Sequence, residues 1–509
     1  MASDLTPVTI GAPGFYGLNL QDSPYDLPIQ YALTAHNAII DSYGRVGARK
    51  GWYPYSDAST DLDSVSPTLI HEYIKNDGST EILCIGNSNI LKLTGTTLSV
   101  IYTDTGWTGE NWKAVNFNGK VYFFQRGNDP LVYDGTTCVK IKDHGSYTGT
   151  VQQANEVLAA YGRLWTVDTA TDKLTVKWSD LLIGEAWSGG SSGSLNLATV
   201  QTLGTRPATA LAAFNGYLII FCDRSIIVYQ GADDNPSTNL KLVDVIDNIG
   251  CIARDTVVDV GSDMFFLSDI GIHSLGRVVD QKSAPLLDVS FNVRDDLLGR
   301  VNGLSATQKE QLKAVYYQLD GFYLLTFPSL GYTYCFDLKR RLENNLCRVT
   351  TWGTSFTSFE TLSNNKLLVG KPGYIGEYVG YSDNGTAYTF QYYSSHITAD
   401  QPSLYKILKN ARVLVYGGSN TTITFKWAVD YSGVYSSNTV TLGSSSLSAE
   451  YNVAEYNVNG YGSSIPRNRA STYLTNYGLV YQIAIEAPIN NNSLSIQQLD
   501  TFVKLGRTA

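Results

Sequence analysis

A hairpin motif recurs along most of this chain, and its spacing limits the folds that the sequence can adopt. Each copy has an apolar strand, a turn that carries Gly or Asn, and a second strand rich in aromatic and aliphatic residues. This pattern predicts a β-hairpin. The clearest copies are residues 114–124, 158–167 and 211–221. The seven turns, 41 to 60 residues apart, fall at Gly78, Gly119, Gly162, Gly216, Gly261, Gly321 and Asn365.

The distance between successive turns is typical of propeller blades. Propeller repeats are roughly 40 to 50 residues long, because each blade is a four-stranded sheet that cannot bury its faces alone. A second turn and strand follow most hairpins and complete a blade, as in residues 89–95 and 225–231. The sequence therefore predicts an all-β protein with a β-propeller of about seven blades over residues 66–385. A series of β-sandwiches with coincidental spacing is the alternative.

Two regions lie outside the repeat. Residues 1–65 predict an N-terminal arm followed by a β-hairpin around residues 42–44. Residues 386–509 contain longer strand-like segments, which predict a C-terminal β-sandwich-like domain. Within that domain, the Ser-, Asn- and Gly-rich stretch between Tyr431 and Ser448 predicts a protruding, mobile loop.

Helix-start signals occur in two segments. Ser305 and Gln308 have the spacing of a capping box, which predicts a helical insertion between blades near residues 290–315. Pro28 stands where a first-turn proline would, so residues 27–37 predict a second helix.

Charge excludes one function class. The 37 Lys and Arg residues are outnumbered by 46 Asp and Glu residues, which gives a net charge of −9. There is no basic surplus of the kind that holds phosphates, so we expect no dedicated DNA-binding domain. The same balance suits a wall along which DNA slides. Neither a signal peptide nor a membrane span is evident, and we expect synthesis in a cytoplasm.

The sequence offers no residue pattern typical of catalysis. The six Cys residues occur singly, several in strand-like runs, which predicts reduced core thiols. The five His residues are far apart, with no pair at metal-ligand spacing. Adjacent carboxylates such as Asp295 and Asp296 can cleave glycosides only if burial separates their pKa values. We therefore predict a non-enzymatic protein that needs no cofactor and no metal.

Segments near both ends of the chain carry a resemblance to a known family. The N-terminal one comprises residues 17–28, 35–37 and 43–52, and the C-terminal one comprises residues 479–486 and 495–507. Together they resemble the tail nozzle proteins of short-tailed bacteriophages, also called packaged-DNA stabilisation proteins. The propeller between these segments is similar to that family in architecture alone.

This resemblance implies a structural virion protein that forms a ring, commonly a hexamer, below the portal and adaptor proteins. Such a ring extends the DNA ejection channel, retains packaged DNA and attaches tail fibres or tailspikes. Genomic DNA would pass through its lumen without sequence-specific binding. The resemblance also implies a location in the virion tail, after synthesis in the bacterial host cytoplasm. A ring requires heterologous contacts between successive subunits.

The N-terminal arm is the part that we expect to clasp a neighbouring subunit. Its basic residues can instead contact phosphate, or they can pair with acidic residues of the same chain, which is the plainer interpretation. The assembly-interface candidates are Asn19, Pro24, Pro28, Asn37, Arg45, Arg49 and Lys50.

A receptor-binding or glycan-cleaving tail propeller is the competing hypothesis. Its tyrosine and tryptophan side chains would stack on sugar rings. The tryptophans are spread over the repeats, however, which is expected of blade cores at least as much as of one sugar site.

Overall fold

The computed structural model describes residues 5–107, 111–201, 204–281, 289–342, 346–443 and 467–508. The N-terminal strands are β1 Thr6–Gly11, β2 Gly17–Leu18, β3 Tyr31–His36, β4 Ala38–Ile40, β5 Val46–Ala48 and β6 Trp52–Pro54. The predicted hairpin around residues 42–44 is present, since β4 pairs antiparallel with β5. The helix predicted for residues 27–37 is wrong. Strand β3 occupies this segment, and it buries Ala32 and Ala35 in sheet packing.

Four blades follow in chain order, and each is an antiparallel sheet of four strands. The strands of the first two blades are β7 Leu69–Ile74, β8 Thr80–Gly86, β9 Asn89–Thr94, β10 Thr97–Thr103, β11 Lys113–Phe117, β12 Lys120–Phe124, β13 Leu131–Tyr133 and β14 Cys138–Lys140. Those of the third and fourth are β15 Ala154–Ala160, β16 Arg163–Thr169, β17 Thr175–Trp178, β18 Gly193–Asn196, β19 Ala208–Phe214, β20 Tyr217–Cys222, β21 Ser225–Gln230 and β22 Lys241–Asp247.

A three-stranded sheet and a helical segment come next. The sheet comprises β23 Val258–Asp259, β24 Met264–Ser268 and β25 Gly271–Ser274, and a 3-10 turn at Arg254–Thr256 precedes it. The helices are α1 Pro236–Asn239, between β21 and β22, and then α2 Leu275–Gln281, α3 Arg294–Asn302 and α4 Ala306–Glu310. Helix α4 begins with the predicted capping box, in which Ser305 and Gln308 each accept from the other's backbone N–H.

Two further blades close the propeller. Their strands are β26 Lys313–Tyr317, β27 Phe322–Phe327, β28 Tyr332–Asp337, β29 Arg348–Trp352, β30 Phe359–Thr361, β31 Leu367–Lys371 and β32 Tyr374–Tyr378. The last blade has only three strands from this part of the chain, and β6 completes it by pairing antiparallel with β32. Residues from the N-terminal region therefore close the ring.

The predicted turns are confirmed, but the predicted number of blades is wrong. All seven turn residues have positive φ, from +59° at Gly321 to +96° at Gly261. Within the described residues the propeller has six four-stranded blades, and not about seven. The hairpin at Gly261 instead belongs to the three-stranded sheet, because the chain enters α2 directly after β25 and adds no fourth strand.

The C-terminal strands form two extended sheets with strands from elsewhere in the chain. They are β33 Tyr388–Ser394, β34 Leu404–Gly417, β35 Thr422–Val429, β36 Ser436–Thr441, β37 Arg467–Tyr473, β38 Tyr477–Gly478, β39 Tyr481–Ile489 and β40 Leu494–Thr508. One sheet has the order β37-β34-β40-β5-β4, with β1 on β40 and β38 on β34. The other runs from blade strands β26 to β29 through β2 and β3 to β33, β39, β35 and β36.

The N-terminal segment is not an extended arm. Strand β1 pairs with β40 over its whole length, and β2 lies parallel between β29 and β3. The segment from β1 to β2 contributes Ile10, Phe15 and Leu18 to the largest hydrophobic core among the described residues. Burial of this apolar surface explains why the segment pairs with the chain's own strands.

Two further expectations concern a loop and the cysteines. The predicted loop between Tyr431 and Ser448 is wrong for residues 436–441, which form β36 on the edge of the long sheet. Residues 444–448 of that loop lie outside the described residues.

All six cysteines are free thiols, as predicted, and five of them are buried while Cys138 is half-buried.

Candidate functional site

The first strands of the blades lie side by side around a common axis, and charged residues concentrate there. Around the axis, β7 is followed by β11, β15 and β19. The 3-10 turn at Arg254–Thr256 comes next, and β26 and β30 complete the circle, since β30 contacts β7. The turn therefore takes the place of an inner strand for the three-stranded sheet. We call the charged and amide side chains that meet at this axis the axial network: Asn111, Lys113, Arg126, Asn155, Glu156, Asp168, Arg254, Asp255, Glu310 and Lys313.

Arg254 joins the three-stranded sheet to the second and third blades, on the other side of the axis. Its Nη2 donates to the backbone oxygen of Asn111 at 2.7 Å and to that of Trp112 at 3.1 Å. Its Nη1 donates to Asn155 Oδ1 at 3.0 Å. The side chain is 2% exposed, so these bonds form away from water. A buried guanidinium is stable in this setting because its N–H groups are hydrogen-bonded.

Lys313 and Asp255 form a buried ion pair beside Arg254. The Nζ of Lys313 lies 2.5 Å from Asp255 Oδ2 and donates to Asn111 Oδ1 at 3.2 Å. Burial opposes ionisation of Asp255, but the charges of Arg254 and Lys313 outweigh it and lower the pKa of this carboxyl. Burial lowers the pKa of Lys313, and the attraction of Asp255 opposes that shift. Asp255 is therefore an anion shared by two cations.

Glu156 extends the network to the next blades. Its carboxylate is fully buried, lies 2.6 Å from Lys113 Nζ and accepts from the backbone N–H of Leu211 at 3.3 Å. Burial raises the pKa of Glu156, although Lys113 and Arg254 both favour its ionised form. The pair Lys113–Glu156 thus links the second blade to the third, and the bond to Leu211 links the third to the fourth.

Helix α4 covers the axial network at the end where the inner strands begin. Arg126 holds the helix there, since its Nη1 donates to Glu310 Oε1 at 2.8 Å and its Nη2 donates to Asp168. Asn111 adds a bond from its side-chain amide to the backbone oxygen of Glu310. A cavity of about 460 Å³ remains between α4 and the strand ends.

A second polar cluster lies where the last blade meets the first. The carboxylate of Glu72 accepts from the backbone N–H of Ser363 at 2.7 Å and from its hydroxyl at 2.9 Å. Glu360 accepts from the backbone N–H of Glu72 at 3.0 Å, and His71 Nδ1 lies 3.8 Å away from the Glu360 carboxylate. Burial raises the pKa of Glu360 to about 8 and lowers the pKa of His71 to about 4. Both shifts favour the neutral form of the group.

Four of the predicted assembly residues are buried and bonded within the chain. Arg49 forms a two-point ion pair with Asp383, at 2.8 Å and 2.6 Å, and donates to Asn37 Oδ1 at 3.0 Å. Arg45 is paired with Asp41 at 2.6 Å. The side-chain oxygen of Asn19 caps the backbone N–H groups of the two residues that follow Leu20.

The other three candidates reach the surface. Pro24 and Pro28 are exposed, and Lys50 is half-buried with its Nζ 3.3 Å from Asp320. The structure thus brings Asn37, Arg49 and Lys50 together beside the last blade, whereas Pro24 and Pro28 lie on a separate loop. For Arg49 and Lys50 the pairing with acidic residues of the same chain is the arrangement that is present.

The axial network was missed at the level of sequence, although the repeat contains a signal for it. Counting six residues back from the turn gives a charged residue in four of the seven hairpins: Glu72, Lys113, Glu156 and Asp255. The last three belong to the axial network, and Glu72 belongs to the second polar cluster. Equivalent positions of a propeller repeat lie at the same height around the axis. A charge that recurs at one repeat position therefore indicates an axial cluster, and hydrophobic periodicity alone does not reveal it.

Two observations concern the remaining chemistry. Within the described residues, no cluster of three or more His, Cys, Asp or Glu side chains has a geometry that could hold a metal ion. In the same part of the chain, no helix is both long enough and apolar enough to span a bilayer.

Comparisons with known proteins extend to the fold alone. No protein-family model and no curated protein matches the sequence. Among solved structures, the chain is similar to the WD40 domain of Neurospora crassa Pan2, at 11% identity over 65% of this chain and 95% of that one, with a TM-score of 0.38. The WD40 propeller of Doa1 gives 10% identity, the same coverage and a TM-score of 0.36.

PorZ, a surface component of the type-IX secretion system of Porphyromonas gingivalis, is also similar. The identity is 8% and the TM-score 0.34, over 63% of this chain. This chain spans 37% of the length of PorZ.

Proposed function

We propose that this chain is a non-enzymatic structural subunit of the tail nozzle of a short-tailed bacteriophage. Copies of it form a ring of six below the portal and adaptor proteins. The ring extends the DNA ejection channel, retains packaged DNA and attaches tail fibres or tailspikes. The protein is made in the bacterial host cytoplasm and acts in the virion tail.

The observation that carries this proposal is the pairing of the two segments that resemble nozzle proteins. Strand β40, in the C-terminal segment, pairs with β5, in the N-terminal segment. Strand β39 pairs with β33, which in turn pairs with β3. Segments from opposite ends of the chain thus form one structural unit. A family resemblance is expected to fall on such a unit, whereas two chance matches would have no reason to be adjacent.

Side chains and α4 close the axis of the propeller, which limits the path that DNA can take. Arg254 and Lys313 cross the axis, and α4 covers one end of it. DNA therefore cannot pass through the propeller of a single subunit, and the lumen lies between the subunits of the ring. The net charge of −9 suits a lumen wall, because a wall with net negative charge does not attract a polyanion such as DNA and so does not hold it.

Mass photometry and electron microscopy of the purified protein, alone and with its adaptor protein, test this proposal. We expect ring-shaped particles, with six subunits, at least in the presence of the adaptor. A protein that stays monomeric with the adaptor and binds no tail component would contradict the proposal. Measurable turnover of a host polysaccharide would contradict its non-enzymatic part.

A pair of surface variants localises the contact between subunits. Pro24 is an exposed assembly candidate on the loop before β3, so Pro24→Arg should reduce ring formation if this loop contacts a neighbour. The matched control is Leu319→Arg on the propeller, where the native side chain is 63% exposed. Ring formation that is unchanged by Pro24→Arg would remove this loop from the interface.

A further inference from the structure

The cavity under α4 has the lining of a binding site for a polar molecule. Its residues come from the ends of strands in five blades, together with α4 and the residue after it. They are Thr68, Asn111, Gln125, Arg126, Asn155, Thr307, Glu310, Gln311, Lys313, Pro328 and Thr357. Three of these are deeply buried, with Gln125 at 3%, Asn155 at 5% and Lys313 at 8% exposure. The volume of about 460 Å³ lies within the range of small-molecule sites.

The charges that line this cavity are already neutralised by the chain itself. Arg126 is bonded to Asp168 and Glu310, and Lys313 is bonded to Asp255. An anion would therefore sit among three carboxylates, and a cation would sit beside an arginine and a lysine. The cavity consequently favours a neutral molecule over a charged one.

Several hydrogen-bonding groups remain for such a molecule. Lys313 uses two of its three ammonium protons, on Asn111 and Asp255. Arg126 uses one N–H of Nη1 on Glu310 and one N–H of Nη2 on Asp168, and each of these nitrogens carries a second N–H. Thr307 contributes a hydroxyl and Gln311 a carboxamide from the α4 side. Thr357 donates to the backbone oxygen of Pro67 at 2.7 Å and so presents a hydroxyl oxygen as an acceptor.

We propose that this axial cavity binds a small neutral polyhydroxylated molecule, namely a mono- or disaccharide, beneath α4. A sugar hydroxyl both donates and accepts, which matches a lining that mixes ammonium and guanidinium donors with hydroxyl and amide groups. None of the described residues that line the cavity is aromatic, so recognition rests on hydrogen bonds. This inference goes beyond the nozzle function and does not depend on it, and it involves binding without cleavage.

Isothermal titration calorimetry with glucose, galactose, N-acetylglucosamine, maltose and lactose tests the proposal on the full chain. We expect at least one of these sugars to bind with one site per chain. Inorganic phosphate and acetate, used as anionic probes, should neither bind at this site nor compete with the sugar. Absence of binding by every sugar in the panel, or competition by phosphate, would overturn the proposal.

Variants on the exposed side of the cavity link binding to this site without disturbing the core. Thr307→Trp fills the cavity from an exposed helix position and should abolish sugar binding. Gln311→Leu removes an amide and should raise the dissociation constant about tenfold. The matched control is Lys309→Met on the same helix, whose side chain is not part of the lining. Sugar binding that survives Thr307→Trp, with an unchanged melting temperature, would place the sugar elsewhere.

Discussion

The guanidinium of Arg254 donates to both the backbone oxygen and the side-chain oxygen of Asn111, 143 residues earlier in the chain. The bond joins the three-stranded sheet to the second blade across the propeller axis. It connects the three-stranded sheet to the second blade by hydrogen bonds from one side chain, at the position where the other sheets have an inner strand. Arg254 is thus a structural centre of the propeller.

Replacement of Arg254 tests this role. Arg254→Met should lower the free energy of unfolding by about 3 to 5 kcal/mol, since it leaves the buried acceptors on Asn111 and Asn155 unpaired and Asp255 with Lys313 as its remaining cation. Chemical denaturation followed by tryptophan fluorescence measures the change. The matched control is Arg224→Met, whose side chain is 61% exposed and pairs with Asp269 at 3.5 Å. It should change stability by less than about 1 kcal/mol. Equal effects of the two variants would contradict the proposed role of Arg254.

Glu360 gives the propeller a specific pH dependence. Its pKa is raised from 4.5 to about 8, so the folded state keeps a proton that the unfolded state loses. The stability that Glu360 contributes is complete below pH 4.5 and is lost as pH rises toward 8. His71 acts in the opposite direction, because its pKa falls from 6.5 to about 4 and its contribution is lost as pH falls. The two effects offset each other between pH 4.5 and 6.5.

The difference between wild type and Glu360→Gln isolates this effect. Between pH 6.5 and 8 we expect the wild type to lose about 2 kcal/mol relative to the variant, because only the carboxyl then takes up protons differently in the two states. Denaturation at pH 6.5, 7.25 and 8 measures the difference. Lys366→Gln, an exposed ion-pair variant in the same blade, serves as the control. A difference that does not vary with pH would show that Glu360 is ionised throughout this range.

The blades could be predicted from the sequence because their signals are local. Each hairpin turn needs a residue that tolerates positive φ, and Gly or Asn supplies it at all seven turns. The capping box at Ser305 is equally local. The three-stranded sheet could not be distinguished from a blade, because its hairpin has the same turn chemistry as the others.

The pairing of the N-terminal strands could not be predicted, because it depends on residues far away in the sequence. Thr9 bonds to Asp500, 491 residues later, and no periodicity in residues 1–54 indicates that partner. The axial network shares this property, since Arg254, Asn111 and Asn155 meet only once the ring is closed. Charge at a fixed repeat position would have indicated the axis, but it would not have shown which residues pair.

Gly17 tests the junction between the propeller and the C-terminal sheets. It has φ of +77°, and an added Cβ would lie 2.5 Å from the backbone oxygen of Val349 in β29. Gly17→Ala must therefore separate β2 from β29, and we expect an unfolding free energy lower by at least about 3 kcal/mol. The control is Gly216→Ala, with φ of +80° and nothing within 4 Å of the added Cβ. It should cost only about 1 to 2 kcal/mol, from backbone strain alone. Similar losses for both variants would show that β2 can move away from β29 easily.

Arg49 distinguishes a structural role from an assembly role for the N-terminal segment. Its guanidinium is 1% exposed, lies 4.0 Å from the centre of the Tyr388 ring and binds Asp383 at two points. Arg49→Met should lower the free energy of unfolding by about 3 to 5 kcal/mol, and Arg49→Lys should not restore it fully because an ammonium cannot form the paired bonds. Adding Asp383→Asn to Arg49→Met should recover part of the loss, since the half-buried carboxylate of Asp383 is then no longer left without Arg49.

Lys50→Met is the matched control for Arg49, because Lys50 is the neighbouring cation and its pair with Asp320 is half-buried at 3.3 Å. We expect it to change stability by less than about 1 kcal/mol. Unfolding of each variant is measured alongside its ability to form rings with the adaptor. A residue that contacts another subunit would show the reverse pattern, with normal unfolding of the subunit and loss of the ring. If Arg49→Met behaves in that way, the ion pair with Asp383 contributes little to the fold, and the N-terminal segment acts between subunits.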